Sequence, residues 1–155
     1  MFIKITTEME ECLMRNRLMS LALLVFGAML YASPPAQAAE TKVVLQISDA
    51  TPAKETLVLN VANNLIKAYG LDHVKIHVVA FGPGLKLLFA KNPNVGRIQS
   101  LWASGVRFDA CENTLAAMTK QLGYKPKLDP YAHPVPAGIV QIVNLVHRGY
   151  TLVRP

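Results

Sequence analysis

The chemistry in this sequence starts from one thiol. Cys111 follows the run 106–110 (VRFDA) and opens the segment Glu112-Asn113-Thr114-Leu115, a pattern that puts it where a strand gives way to a helix. A thiolate there faces the unpaired N–H groups of the first helical turn and the positive end of the helix dipole. That setting lowers a cysteine pKa from its free value of about 8.5. Asn113 and Thr114 are expected to supply hydrogen-bond donors to it. Asp109 and Glu112 oppose ionisation, since a nearby like charge disfavours a second anion. Both are expected at solvent-facing loop and first-turn positions, where screening weakens them, so the predicted depression is modest. Residue type alone leaves another role open, because unpaired cysteine is also a common small buried hydrophobe.

Other constellations carry less. Gly82-Pro83-Gly84 forms a tight turn that can bring a ligand close to the backbone, but Leu87 stands where a dinucleotide fingerprint needs its third glycine. His73 and His77 are four residues apart, which along a strand is about 13 Å. One zinc ion with nitrogen ligands at ~2.1 Å cannot hold both. No HExxH, CxxC or GxSxG pattern occurs, so no metal site, no cofactor and no serine-nucleophile elbow is expected. Lys42, Lys54, Lys67, Lys75, Lys86, Lys91, Arg97 and Arg107 are scattered, which reads as a solvated surface and not as a nucleic-acid interface.

The elements that must position these residues are legible in the pattern. Residues 42–48 (KVVLQIS), 74–81 (VKIHVVAF) and 106–110 read as strands, with a final short strand at 150–153; residues 125–136, with four prolines, read as a loop in which 131–135 can pair as a short strand. Helices are expected over 52–69, 85–90, 95–103, 111–122 and 137–147, several of them stopped by glycine. Alternating strands and helices mean a parallel sheet covered on both faces, an α/β domain. Ligands in such sheets sit beyond the carboxyl ends of the strands, where Asp49, Gly82 to Gly84 and Cys111 are expected to converge. The last helix carries Ile139, Val140, Ile142, Val143, Leu145 and Val146, apolar on more than one face. One stripe suits the sheet; the other suits a subunit interface, with complete core burial as the alternative.

With 155 residues, 52% hydrophobic and 17% charged, the chain is expected to form one folded domain, and disorder is excluded. Residues 18–31 (LMSLALLVFGAMLY) are fourteen residues without a charge, too short for a membrane span of roughly 20. Arg15 and Arg17 precede the run, and Ala36-Gln37-Ala38 offers small residues to a signal peptidase. The expectation is a secretory signal over 1–38, cleaved after Ala38, and a mature periplasmic domain over 39–155. Cleavage removes Cys12 with three basic and three acidic side chains, so the net charge stays at +6. Cys111 is then left without a partner for an internal disulfide.

Taken together, KVVLQISD, the helix with Asn60 and Asn64, VKIHVVAFGPGLKLL, RFDACENTL and VPAGIVQIVNLVHRGYTLVRP resemble the DsrE/DsrF-like sulfur-relay superfamily. The most specific segments are Phe81-Gly82-Pro83-Gly84, Ala110-Cys111-Glu112-Asn113-Thr114 and Val135-Pro136-Ala137-Gly138. The resemblance implies a three-layer α/β/α domain with a mainly parallel five-stranded sheet, assembled as a homo-oligomer, trimer or hexamer. It also implies that Cys111 carries sulfane sulfur as a persulfide and hands it to a small-molecule or protein acceptor. Asn113, Thr114 and Asp49 are the expected supporting residues, with Gly82, Pro83 and Gly84 as the facing wall. The competing expectation is a non-catalytic oligomeric module that binds a small anion or a protein at the same edge, with Cys111 incidental.

Overall fold

A computed structural model describes residues 40–155; the secretory-signal reading falls on residues outside this range. The order is β1 (Thr41–Ile47), α1 (Pro52–Tyr69), β2 (Val74–Ala80), a 3₁₀ helix (Gly82–Leu88), α2 (Val95–Ala103), β3 (Arg107–Cys111), α3 (Glu112–Leu122), β4 (Ala132–Val135), α4 (Gly138–His147) and β5 (Thr151–Val153). All five strands pair in parallel, in the spatial order β4-β3-β2-β1-β5. The domain is the expected three-layer α/β/α fold.

Strand alternation divides the core into two unequal parts. Val43, Leu45 and Ile47 of β1, Ile76, Val78 and Ala80 of β2, and Phe108 and Ala110 of β3 point to one face. There they meet Val58, Leu59 and Ala62 of α1, Leu85, Leu87 and Leu88 of the 3₁₀ helix, Ile98 and Leu101 of α2, and Leu115 of α3. The opposite face is smaller: Val44 and Val79 pack against Ile142 and Leu145 of α4, with Phe81 and Tyr150 at the margin.

Connection handedness explains the asymmetry. The steps β1 to β2, β2 to β3 and β3 to β4 each move to the next strand in the same direction. Right-handed crossovers then put all their helices on one face. The connection from β4 runs back across the whole sheet to β5, so the same handedness puts α4 on the other face. The loops after β3 and β4, which are neighbours, therefore leave in opposite directions. This is the topological switch point, where a doubly wound sheet opens a crevice.

Local sequence fixes the element ends. Thr51 caps α1, its side chain accepting from Lys54 N at 3.4 Å, and Pro52 occupies the first helical turn. The segment expected as a helix from Leu85 is instead a 3₁₀ helix that starts at Gly82 and ends at Leu88, with Pro83 in its first turn. Gly84 explains the tight path. A Cβ there would lie 2.5 Å from the Ile47 carbonyl oxygen, so only glycine lets this segment press against the end of β1.

Candidate functional site

Cys111 lies at the switch point. It is the last residue of β3, paired in register with Val135 of β4, and it is also the N-cap of α3. Its side chain accepts from Thr114 N at 3.5 Å, so sulfur occupies the place that a serine or aspartate oxygen takes in most caps. The second helix at the crevice, α4, begins at Gly138, and its own N-cap Ala137 has no side chain to offer. A Cβ on Gly138 would lie 3.3 Å from Cys111 Cβ and 3.1 Å from Phe81 Cβ. The glycine therefore lets the start of α4 close on the cysteine. Two helix N-termini face one sulfur atom.

The electrostatics follow from that placement. Burial, with the residue only 5% exposed, pushes the Cys111 thiol up. Hydrogen bonds from the Thr114 hydroxyl and from the backbone N–H groups of Gly138, Thr114 and Asn113 outweigh it, so the thiol lies below its ordinary value. The Thr114 hydroxyl is itself fixed, because Gly82 N donates to its oxygen at 3.0 Å. That leaves its proton free for the sulfur. Gly82 has φ +53°, a left-handed backbone that lets the N–H turn toward α3.

The expected site residues divide into four groups. Cys111, Thr114 and Gly82 are joined in one hydrogen-bonded chain. Asn113 acts through its backbone, which also donates to Pro136 O at 3.3 Å and so ties α3 to the loop after β4; its side chain is exposed. Pro83 and Gly84 shape the 3₁₀ turn between the ends of β1 and β2. Asp49 stands apart. Its carboxylate accepts from Thr51 N at 2.9 Å, and it lines a separate cleft of about 180 Å³ with Gln46, Lys54, Arg154 and Pro155.

One expectation is corrected. Asp109 is not solvent-facing: it is 2% exposed, because its position two residues before Cys111 puts both on the α4 face of the sheet. Its Oδ2 accepts from His77 Nδ1 at 2.7 Å and from Gln141 Nε2 at 3.1 Å. The His77 ring also meets Tyr150 edge-on, with centroids 5.3 Å apart. This network joins β2, β3 and α4. No short motif marks it, but the two-residue period of β2 and β3 places His77, Val79, Asp109 and Cys111 on one face. Among the described residues, no group of three or more His, Cys, Asp or Glu is arranged to hold a metal ion.

No family model and no curated protein matches the chain. Among solved structures, a protein of unknown function from Methanobacterium thermoautotrophicum matches with a TM-score of 0.68 and 30% identity, over 75% of this chain and 100% of its own. The chain belongs to that protein's family. The relationship covers the whole of the relative, so the α/β domain is the shared unit.

Proposed function

We propose that the protein handles sulfur in the periplasm, with Cys111 accepting sulfane sulfur as a persulfide and passing it on. One observation carries this reading: the Cys111 thiol sits between two helix N-termini at the switch point, where it accepts from Thr114 N and the donors of both helix starts hold its pKa below the ordinary value. The thiolate attacks the outer sulfur of a donor, a new S–S bond forms at Cys111, and the old one breaks. With a partner persulfide, Cys–S⁻ and R–S–SH give Cys–S–SH and R–S⁻; with thiosulfate, the leaving group is sulfite. No external oxidant is needed. Release to an acceptor thiolate is the same exchange in reverse.

The loaded persulfide is also an anion, and the N–H groups at the starts of α3 and α4 favour it as they favour the thiolate. The reading extends to a homo-oligomer. Ile139, Val140, Val143 and Val146 form an outer stripe on α4 and are exposed, which leaves an apolar surface on the helix that starts at the thiol for another subunit to cover.

The test is an intact mass after incubating reduced protein with polysulfide or thiosulfate. Sulfur-atom increments that dithiothreitol removes, and that Cys111→Ser lacks, are the expected result. An unchanged mass across several donors would defeat the carrier reading. The alternative, small-anion binding at the strand edge, is favoured by the polar cleft between Lys54 and Arg154. It predicts binding that Cys111→Ser leaves intact.

A further inference from the structure

The His77–Asp109–Gln141 network lies outside the hydrogen-bonded chain around the sulfur, yet it shares two elements with it. Strand β3 presents Asp109 and Cys111 on the same face, about 6.6 Å apart along the strand. Helix α4 presents Gly138 and Gln141, three residues and about 4.5 Å of rise apart. Gly138 abuts Cys111, and Gln141 Nε2 donates to Asp109 Oδ2 at 3.1 Å. Helix and strand are therefore joined at two matched points. The side chain that fixes the second point is held in turn by His77 of β2.

We propose that Gln141, acting through Asp109, is a positioning residue for the Cys111 thiolate: their hydrogen bond locks the first turn of α4 against β3 so that the Gly138 N–H stays directed at the sulfur. The inference rests on reading Cys111 as the reactive thiol. The contact it protects is easily lost, because Ala137 supplies no side-chain cap to hold the start of α4. Ile142 and Leu145 anchor the helix further along, so loss of Gln141 frees the N-terminal turn without detaching the helix.

Charge and positioning make opposite predictions for Asp109. The ionisable groups on this face of the sheet beside the thiol are Arg107 and Asp109 on β3, Lys75 and His77 on β2 and His133 on β4, with Glu112 in the first turn of α3 and Tyr150 against the His77 ring, while α4 has none until His147. If Asp109 acted only as a negative charge, removing it would lower the thiol midpoint. If it anchors Gln141, removing it raises the midpoint.

The experiment is the pH dependence of iodoacetamide alkylation at the Cys111 peptide, followed by mass, beside a thermal melt of each variant. Gln141→Leu, similar in size but without a donor, is expected to raise the midpoint by roughly half a unit, or about three-fold slower labelling at neutral pH. Asp109→Ala is expected to raise it as well. Asp109→Asn, whose amide oxygen still accepts from Gln141, is expected to stay at or below the wild-type midpoint. A Gln141→Leu midpoint equal to or below wild type overturns the inference, whatever the melt shows, and this variant decides the matter if Asp109→Ala does not fold. The reading of Cys111 fails separately, if wild-type labelling requires denaturant or has a midpoint above about 9.

Discussion

The sulfur of Cys111 is poised by donors that can be removed singly. Thr114→Val keeps the side-chain shape but deletes the hydroxyl that faces the thiolate and accepts from Gly82 N. The alkylation midpoint should rise, and stability should fall by about 1–2 kcal/mol because the Gly82 N–H loses its partner. A midpoint unmoved in Thr114→Val would show that the backbone N–H groups alone set the acidity. The same shift has a stability consequence. A thiol whose folded pKa lies below its unfolded value contributes stability that is fully present above the unfolded value, about 8.5, and lost as pH falls through the folded value. The Tm advantage of wild type over Cys111→Ser should therefore grow as pH is raised from mildly acid to mildly alkaline, which melts at fixed ionic strength will read. At this scale the sequence disclosed the place of Cys111 at the strand-to-helix junction and of Thr114 beside it. It hid the environment of Asp109, because His77 and Gln141 come from distant segments and only the sheet register brings them together.

Elements do the positioning, and two glycines set how closely they approach. At Gly84 an added Cβ meets main-chain atoms at and just past the end of β1, with Ile47 O at 2.5 Å and Ser48 Cα at 2.9 Å. Neither can move without shifting the strand. At Gly138 the nearest atoms belong to the side chains of Phe81 and Cys111, at 3.1 Å or more. Gly84→Ala should cost on the order of 2–4 kcal/mol, and Gly138→Ala about 1–2 kcal/mol. The thiol midpoint should rise only in Gly138→Ala, because only there does α4 retreat from the sulfur. Thermal melts and alkylation profiles of the two variants check both the order and the split. Most of this architecture was legible from periodicity: α1 and α2 fall on their expected bounds, and the strands differ by one or two residues. The segment after β2 read as a turn followed by a helix, whereas it is one 3₁₀ helix from Gly82. Contact with Ile47, invisible in a local window, compresses it.

For the whole molecule, the uneven coverage of the sheet matters most. Among the described residues, four helical segments pack on one face and α4 alone on the other, so α4 has an inner stripe in the core and an outer one exposed. The expectation that this helix has more apolar surface than one sheet can cover agrees with the exposure of Ile139, Val140, Val143 and Val146. If that surface joins subunits, the purified domain should sediment as a multimer at micromolar concentration. Val143→Glu, at a position 45% exposed in the protomer, should shift it to monomer. Its far-UV circular dichroism should be unchanged, since the side chain is not part of the core. A wild-type protein that sediments as a monomer would remove the interface.

The strand order has a further consequence, in the course of synthesis and refolding. β1 comes first among the described elements, yet one of its edges is filled by β5, the last, through the pairing of Val43–Leu45 with Thr151–Val153. Every other strand pair joins neighbours in the chain. A growing or refolding chain can thus assemble four strands and most of its core while β1 still shows a bare row of backbone donors and acceptors. Such an edge is a template for the corresponding strand of another chain. Three residues at the far end of the sequence therefore compete, in time, with every other copy in solution for the same edge.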